Sequence, residues 1–394
     1  MIYLDNNATT QVHPEVREAM LPYLEGSYGN PSGGYRFGKE SRDAVEAARE
    51  RVAELAGAKA EEVVFTSCGT ESNNSAFYSA METYPERKHL VSTRAEHSAV
   101  VNLVEYLEAK HGYEVDWVPV DGEGLVDVEA IRRVVRPGET ALVSIMWANN
   151  ETGVLGPVEE AAGICEEAGV LFHTDAVQAV GKVPVSMRES GAHFLSVSGH
   201  KMHASKGVGA LLVSERVRFQ ATLIGGGQEK GRRSGTENVA GIVGMGKAAE
   251  LMGQALAAGI EERVRGMRDR FEAGVLEAVE GTAVNGDRER RLPNTSNLYF
   301  EGVDAEGLLI LLDDAGVCCS PGSACSTGSF EPSRVIMAMG HDKERGRSSV
   351  RFSLSSFSTA GEVDEAVGLV TGAAGKLRVA RPRGAGRVVG GKRG

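Results

Sequence analysis

Lys201 is the residue whose type and position predict chemistry most directly. It follows the apolar run Phe194 to Val197, in the sequence Ser-Gly-His-Lys. Lysines are seldom buried, and burial lowers the pKa of the amine, which makes it a nucleophile able to form a Schiff base. The alternative is a lysine whose ammonium group reaches solvent while its methylenes pack on the protein. Its position alone leaves both interpretations open.

Two further strand ends carry residues that suit a charged ligand. Ser67 to Asn74 follow a predicted strand, are rich in small residues and lead into a helical stretch. A helix N-terminus of this kind can bind a phosphate, although Ser67 or Thr70 could equally cap the helix. Asp175 follows another predicted strand, where its carboxylate could hold a positive charge or a protonated ring nitrogen. It could also cap the next helix.

His97 and Asn149 also follow predicted strands. The carboxyl ends of parallel strands meet at one edge of a sheet, so these groups, the anion site, the lysine and the acid are expected close together. A phosphate site, a lysine and an acid are what pyridoxal phosphate requires, since the acid keeps the ring nitrogen protonated and the ring then accepts electrons. The sequence therefore predicts a pyridoxal-phosphate site.

A second group of candidate residues lies near the C-terminus. Cys325 stands in Ser-Pro-Gly-Ser-Ala-Cys-Ser-Thr-Gly, a segment typical of a mobile loop, and an accessible thiol there could act as a nucleophile. Cys318 and Cys319 are interpreted as packing residues, and the spacing of the three matches no usual zinc pattern, so no metal site is expected. Arg351 lies on a predicted strand, where its guanidinium could bind an amino-acid carboxylate or form a surface ion pair.

The elements that must position these residues follow an α/β pattern. Apolar strand candidates separated by helical segments favour a largely parallel sheet with helices on both faces. The candidates are Glu62 to Thr66, His89 to Ser92, Val115 to Val118, Ala141 to Trp147, Val170 to Thr174, Phe194 to Val197 and Gly209 to Val213. A helical region over 238–279, broken near Gly259, leads to a smaller α+β part.

Four segments are expected along the chain. They are an N-terminal segment packing with the small domain (1–14), a large cofactor-binding domain (15–258), a small domain carrying the Cys325 loop (259–375) and a basic, disordered tail (376–394). The tail holds seven Lys or Arg residues and no acid. It cannot bury enough apolar surface to fold alone, and its charge suits an acidic partner.

Composition excludes several classes of protein. The net charge of −11 over 394 residues disfavours direct nucleic-acid binding. No apolar run approaches the ~20 residues that cross a bilayer, and the first residues resemble no secretion signal. Five cysteines without a Cys-X-X-Cys motif predict reduced thiols. We therefore expect a cytoplasmic protein without membrane contact.

Ten motifs occur in the same order as in a known family. They are Tyr3 to Thr10, Gly29 to Ser32, Thr66 to Asn74, Ala148 to Gly153, His173 to Gln178, Ser198 to Lys201, Gly225 to Glu229, Ser234 to Asn238, Gly322 to Ser326 and Arg351 to Leu354. Together they resemble the cysteine desulfurases of the NifS/IscS type, which are class-V aminotransferase-family enzymes of PLP fold type I. The resemblance implies an α/β fold like that of aspartate aminotransferase, with a mostly parallel seven-stranded sheet and a smaller α+β domain.

The resemblance implies how the matched residues bind the cofactor, pyridoxal 5′-phosphate. Lys201 would bond to it covalently, and Asp175 would pair with its ring nitrogen. Gln178 would hydrogen-bond its ring hydroxyl, and His97 would stack on the ring. The phosphate would be held by Gly69, Thr70, Ser198 and His200, and by Thr236 from the second subunit of a homodimer.

The resemblance also implies a substrate and a product. Asn149 and Arg351 would bind the carboxylate of L-cysteine, and Asn149 would contact the cofactor as well. Cys325 would attack the substrate sulfur, leaving L-alanine and a persulfide on Cys325. A mobile thiolate can then pass the sulfur to an acceptor protein such as an iron–sulfur scaffold.

Three positions depart from the family pattern, and other functions are possible. Cys68 replaces a glycine, Tyr35 replaces a histidine, and Met202 to Ser205 differ from the usual residues after the lysine. The alternatives are a selenocysteine lyase or another class-V aminotransferase-like enzyme, a dinucleotide-binding dehydrogenase and a non-catalytic scaffold. An aminotransferase needs no loop thiol. The dehydrogenase is suggested by the glycines of 241–246, but that run lies in a helical stretch rather than after a strand.

Overall fold

The structure is a computed structural model that describes residues 1–321 and 331–380. Its α-helices are α1 (Pro14–Glu25), α2 (Arg36–Leu55), α3 (Gly69–Thr83), α4 (Ser98–His111), α5 (Val128–Val134), α6 (Val158–Ala168), α7 (Met187–Ser190), α8 (Val239–Ala257), α9 (Ile260–Ala278), α10 (Ala305–Asp314), α11 (Arg334–Ala338), α12 (Lys343–Arg347) and α13 (Ala360–Ala380). Its strands are β1 (Ile2–Tyr3), β2 (Val63–Thr66), β3 (His89–Thr93), β4 (Glu114–Val118), β5 (Thr140–Ser144), β6 (Leu171–Asp175), β7 (Phe194–Ser198), β8 (Gly209–Val213), β9 (Thr282–Val284), β10 (Thr295–Phe300), β11 (Val317–Cys318), β12 (Ser320–Pro321) and β13 (Ser349–Ser353).

The large domain is built on one sheet of seven strands, in the order β2-β8-β7-β6-β5-β3-β4. β8 runs antiparallel to both of its neighbours, and the other pairs are parallel. β3, β5, β6 and β7 are buried along their whole length because helices cover both faces of the sheet. α1, α2 and α8 pack on one face, and α3 and α4 on the other. The predicted mostly parallel sheet is confirmed.

The glycine run of 241–246 serves helix packing. It lies inside α8, and a Cβ added to Gly246 would stand 2.5 Å from the Cα of Ala48 in α2. Glycine therefore allows the two helices to approach closely. A dinucleotide-binding turn would instead follow a strand and open a helix, so this run does not support the dehydrogenase alternative.

The small domain has its own sheet and core. Gly259, with a φ of +77°, separates α8 from α9 at the predicted break. The antiparallel sheet β12-β13-β10-β9 packs against α9, α10 and α13 around a core that includes Phe271, Phe300 and Phe352.

The N-terminal segment connects the two domains. β1 pairs with β11 of the small domain, and Asp5 forms an isolated bridge with Ser353. A few residues later the segment reaches the large domain, where the N–H of Thr10 donates to the carbonyl of His200 (2.9 Å). Residues 5–10 therefore run between the two domains, beside the residue that precedes Lys201.

Two element boundaries differ by more than one residue from those predicted. The strand predicted over Ala141 to Trp147 ends at Ser144: its pairing with β3 stops at Val143, while Ile145 and Trp147 still donate to the carbonyls of His173 (3.1 Å) and Asp175 (2.9 Å) in β6. α13 continues to Ala380, so residues 376–380 of the predicted tail are helical, and the remaining tail lies outside the described residues. None of the helices in the described ranges could cross a membrane.

A buried ion pair fixes the connection between the large-domain sheet and the segment that follows β8. Arg49 of α2 donates to both carboxylate oxygens of Glu229 at 2.8 Å, and the two side chains are 4% and 3% exposed. The same carboxylate accepts from the N–H of Phe65 in β2 (2.9 Å). Removing one charge from such a pair leaves the other buried and uncompensated.

We expect Glu229→Gln to lower the free energy of unfolding by about 3 kcal/mol, because Arg49 keeps its charge and loses its buried counter-ion. Urea unfolding followed by circular dichroism measures the effect. Glu215→Gln removes a carboxylate from an exposed pair with Lys59, and it should leave the midpoint unchanged. Equal midpoints for both variants and the unmodified chain would contradict this account.

Candidate active site

A cavity of about 450 Å³ opens at the carboxyl ends of the central strands, where the two domains meet. The helix and strand ends of the large domain form most of its wall, and β12 and β13 close it from the small domain. Nine of the residues predicted for the site line it: Gly69, Thr70, His97, Asp175, Gln178, Ser198, His200, Lys201 and Arg351.

One end of the cavity is built to receive an anion. It is formed by the N-terminus of α3, where the preceding residue, Cys68, makes no side-chain hydrogen bond to the helix within the described part of the chain. The helix N–H groups and dipole therefore favour a negative charge. Ser198 Oγ is buried beside them without a partner among the described residues. A Cβ on Gly69 would stand 2.8 Å from Cγ2 of Val177, so glycine keeps this end open.

Asp175 projects into the cavity in a fixed orientation. Its Oδ2 accepts from Asn73 Nδ2 of α3 (2.7 Å), and its Oδ1 accepts from the N–H of Val177 (3.0 Å). The side chain sits at the end of β6 and is almost completely buried. A carboxylate held in this way can bind a cationic ring nitrogen without turning away from it.

Lys201 follows β7 in a short 3₁₀ turn, and its amine enters the cavity. Nζ donates to the main-chain carbonyls of Asn7 (2.5 Å) and Ala8 (2.7 Å). Burial lowers the pKa of Lys201 to about 8, and Arg351 acts in the same direction, while the carboxylates of Asp5 and Asp175 oppose it. The neutral, nucleophilic fraction of the amine near neutral pH is therefore much larger than for an ordinary lysine.

His97 presents one defined nitrogen to the cavity. It caps α4, and its Nδ1 accepts a hydrogen bond from the N–H of Ala99 (3.1 Å). Burial lowers the pKa of His97 below its usual value. The ring is thus neutral with its proton on Nε2, and that atom can exchange a proton with a ligand.

Arg351 lies at the small-domain side of the cavity and connects three segments. Its Nη2 donates to Asp5 Oδ1 (2.7 Å), and its Nη1 donates to the carbonyl of Asn150 (2.9 Å). Nε is buried without a partner among the described residues. Asp5 Oδ2 accepts from Ser320 Oγ of β12 (2.9 Å), so the carboxylate links the guanidinium to the strand that leads toward Cys325.

The comparisons with known proteins assign the family. Residues 2–366 match the family model for aminotransferase class V. The chain belongs to the class-V aminotransferase family. It is 48% identical over 382 residues to a cysteine desulfurase of Trichormus azollae, an alignment that covers 97% of this chain and 95% of that protein. The cysteine desulfurase NifS of Azotobacter vinelandii is 47% identical, over 97% of this chain and 94% of that one.

A solved structure agrees with these relatives. A NifS-like protein aligns with a TM-score of 0.88 at 35% identity, covering 96% of this chain and 99% of that one. The resemblance to the NifS/IscS-type cysteine desulfurases is therefore confirmed. The same comparison confirms the fold expected from the motifs.

Two of the described residues predicted for the site of this class-V aminotransferase-family chain, Thr236 and Asn149, are not in the cavity wall. Cys325 lies outside the described residues. Thr236 lines a separate cavity of about 130 Å³ together with Ser67, and its predicted contact across a dimer stays a prediction. Asn149 is buried behind the wall, and its neighbour Asn150 lines the cavity instead.

The side chain of Asn149 bonds to its own loop and to Ala95. Its Nδ2 donates to the carbonyl of Ala95 (2.8 Å), and its Oδ1 accepts from the N–H groups of Glu151 and Thr152 (both 2.9 Å). The amide is thus used within its own loop. Asn149 therefore holds this turn, and its predicted contacts with the substrate and the cofactor stay a prediction.

Sequence reasoning about strand ends missed Asn7 and Asp5. Both belong to the N-terminal motif, which the sequence analysis used only as a mark of resemblance. Their partners lie far away in the chain, at Lys201 and Arg351. The available signal was a run of polar residues in a segment with no strand or helix of its own, which indicates that long-range partners satisfy it.

We expect Glu151→Gln to stabilise the protein more at pH 8 than at pH 5. Burial raises the pKa of Glu151 to about 7, against the hydrogen bond from Ser333 Oγ and the charge of Arg351. The folded state keeps its proton where the unfolded state loses it, so stability falls as pH rises from about 4.5 to about 7, by about 3 kcal/mol in all. Glutamine is neutral throughout, retains the acceptor for Ser333 and avoids that loss.

Urea unfolding at the two pH values measures this difference. Glu108→Gln, on the exposed side of α4, is the matched control and should change stability equally at both. A gain from Glu151→Gln that is the same at pH 5 and pH 8 would show that the buried carboxyl is not protonated in the folded state.

Proposed function

We propose that the protein is a pyridoxal-phosphate-dependent cysteine desulfurase that converts L-cysteine to L-alanine and carries the sulfur as a persulfide on Cys325. One observation carries this proposal: a single cavity brings together the amine of Lys201, the carboxylate of Asp175 and an anion site at the start of α3. The relatives named cysteine desulfurase, at 47–48% identity over nearly the whole chain, support the same reaction.

The residues present fit the cofactor. Ser198 Oγ is a buried donor that lacks a partner among the described residues, beside the open N-terminus of α3, and it suits the phosphate. Asp175 suits the ring nitrogen, Gln178 the ring hydroxyl, His97 the face of the ring, and Lys201 the aldehyde carbon. When bound, pyridoxal phosphate supplies an electron sink that lets the carbon–sulfur bond weaken.

The substrate carboxylate is placed by Arg351. In the described residues, the buried Nε of its guanidinium has no partner, and Nη1 and Nη2 each form one hydrogen bond. Two N–H groups of Arg351 can therefore bind both oxygens of a carboxylate. The carbonyl of Asn150 holds the guanidinium from the other side. A cavity of about 450 Å³ accommodates the cofactor and a small amino acid.

Two groups handle protons and sulfur. His97 Nε2 is positioned to exchange a proton with the substrate, since Nδ1 is held by Ala99. The thiolate of Cys325 takes the sulfur: the substrate carbon–sulfur bond breaks, a sulfur–sulfur bond forms, and the carbon receives a proton to give alanine. Ser320 and Pro321, which line the cavity, lead toward Cys325 in the sequence.

We further propose that the enzyme is a cytoplasmic homodimer that delivers sulfur to an acceptor protein, such as an iron–sulfur scaffold. Thr236 would complete the phosphate site of the partner subunit, which fits its position outside the main cavity of its own chain. The described cysteines are all free thiols, as expected in a reducing compartment.

Incubation of the full chain with pyridoxal phosphate should give a visible absorption band, and borohydride should fix the cofactor on Lys201. Lys201→Ala should abolish the fixed cofactor, because the other groups bind it without a covalent bond. Peptide mass spectrometry identifies the modified lysine. Lys206→Ala, at an exposed lysine five residues later, should retain full labelling. Labelling elsewhere, or none in the unmodified chain, would contradict the cofactor assignment.

Cys325→Ala should keep the absorption band but lower sulfide and alanine formation from L-cysteine by about 1,000-fold or more, because the nucleophile is gone. Cys318→Ala, a thiol seven residues earlier with intermediate exposure, is the control and should retain turnover. Mass spectrometry after brief exposure to L-cysteine should find one added sulfur atom on Cys325. Undiminished turnover without Cys325 would show that another group accepts the sulfur.

A further inference from the structure

The amine of Lys201 occupies a defined position when it forms no covalent bond to another group. Its Nζ donates to the main-chain carbonyls of Asn7 at 2.5 Å and Ala8 at 2.7 Å. In the described residues it forms no ion pair with a carboxylate. The carbonyl of Asn7 also accepts from Gln178 Nε2 (2.9 Å), so one oxygen holds two of the residues expected to contact the cofactor.

The side chain of Asn7 determines where that carbonyl stands. It is 1% exposed. Its Nδ2 donates to Thr295 Oγ1 (2.9 Å) and to the carbonyl of Asn150 (3.2 Å). Its Oδ1 accepts from Asn294 Nδ2 (3.0 Å) and Lys182 Nζ (3.2 Å). All four side-chain bonds go to distant segments of both domains, so the amide fixes the backbone in a segment that has no strand or helix of its own.

We propose that the carbonyls of Asn7 and Ala8 are the resting site of the uncoupled Lys201 amine, and that Asn7 is the positioning residue that holds this site in place. The inference deepens the proposed function, on which its catalytic meaning rests. A lysine side chain has four rotatable bonds, and a released amine would otherwise be free to swing away from the cofactor. Two acceptors keep it oriented beside the reacting atoms, which preserves a high effective concentration.

The two carbonyl acceptors also affect the protonation of the amine. Carbonyl acceptors bond more strongly to an ammonium than to a neutral amine, so they favour the charged form against the effect of burial. The ionisable groups that face Lys201 from the surrounding elements are Asp5, His97, Asp175, Lys182, His200 and Arg351. Of these groups, only Lys182 bonds to the Asn7 side chain in the described residues (Nζ to Oδ1, 3.2 Å), and it also donates to Gln178 Oε1 (2.5 Å), a bond that a change at Asn7 does not remove.

Asn6 provides a matched control in the same segment. Its side chain is also buried, and Nδ2 donates to the carbonyls of Ser353 (2.9 Å) and Tyr3 (3.3 Å). It therefore anchors the N-terminal segment as Asn7 does. The main-chain carbonyl of Asn6 makes no bond to Lys201 within the described residues. Replacing the Asn6 side chain therefore tests the structural contribution alone.

The experiment measures Lys201 directly in the full chain. In cofactor-free protein, labelling with trace acetic anhydride across pH, read by mass spectrometry, gives the midpoint of Lys201, expected near 8 in the unmodified chain. Asn7→Ala should lower this midpoint by about half a unit to one unit because the carbonyls no longer favour the ammonium. The same substitution should also slow covalent capture of pyridoxal phosphate by about tenfold, because the Lys201 amine is no longer held in a reactive orientation.

The controls separate positioning from folding. Asn6→Ala should lower the melting temperature but leave the Lys201 midpoint and the capture rate unchanged. If Asn7→Ala does not fold, Thr295→Val removes the acceptor of Asn7 Nδ2 with little change of shape and should shift both readouts in the same direction. Unchanged readouts in the folded Asn7 or Thr295 variant, or equal shifts in Asn6→Ala, would overturn the proposal. An unmodified chain that captures no cofactor would overturn the proposed function only, since the anhydride titration needs none.

Discussion

Two cations at the cavity, the partly buried Lys201 and the buried Arg351, impose the main constraint on this structure. Moving a charged group out of water costs several kcal/mol unless its N–H groups find acceptors. Main-chain carbonyls supply many of these acceptors: those of Asn7 and Ala8 for Lys201, and that of Asn150 for Arg351. Such dipoles satisfy N–H groups without cancelling the charge. The cavity can therefore keep a positive potential for a phosphate and a carboxylate, with Asp5 as the one carboxylate bonded to either cation in the described residues.

This solution explains the path of the N-terminal segment. Backbone inside a helix or a sheet has already used its carbonyls, so free acceptors must come from irregular chain. The segment between β1 and α1 supplies them, and it must lie between the domains to reach Lys201. Asn7 holds it there through Thr295 and Asn294 of the small domain and Lys182 of the large one. The packing of the two domains thus sets the position of the amine, although Lys201 itself belongs to the large domain.

The local sequence pattern was sufficient to predict the position of a site residue where the order of the strands determines that position. Lys201 and Asp175 each follow an apolar run, and the parallel arrangement of β6 and β7 brings their ends together without any knowledge of long-range contacts. The end of β5 was beyond such reasoning, because the apolar run continues past Val143, where the pairing with β3 stops. The role of Asn7 depends on partners up to 288 residues away. Hydrophobic periodicity carries no information about a contact between such distant residues. Only the polarity of residues 5–10, which no local helix or strand explains, indicated it.

Asn149 shows why residue type at a strand end does not determine its role. An asparagine amide can make about four hydrogen bonds, and in Asn149 the carbonyl of Ala95 and the N–H groups of Glu151 and Thr152 already account for most of them. A side chain bonded in this way is held within its own loop. These hydrogen bonds fix the turn, and the turn orients the carbonyl of Asn150 so that it accepts from both Arg351 and Asn7. The loop therefore acts on Arg351 and Asn7 through a backbone oxygen, and a substitution of Asn149 would disturb the surroundings of both cations.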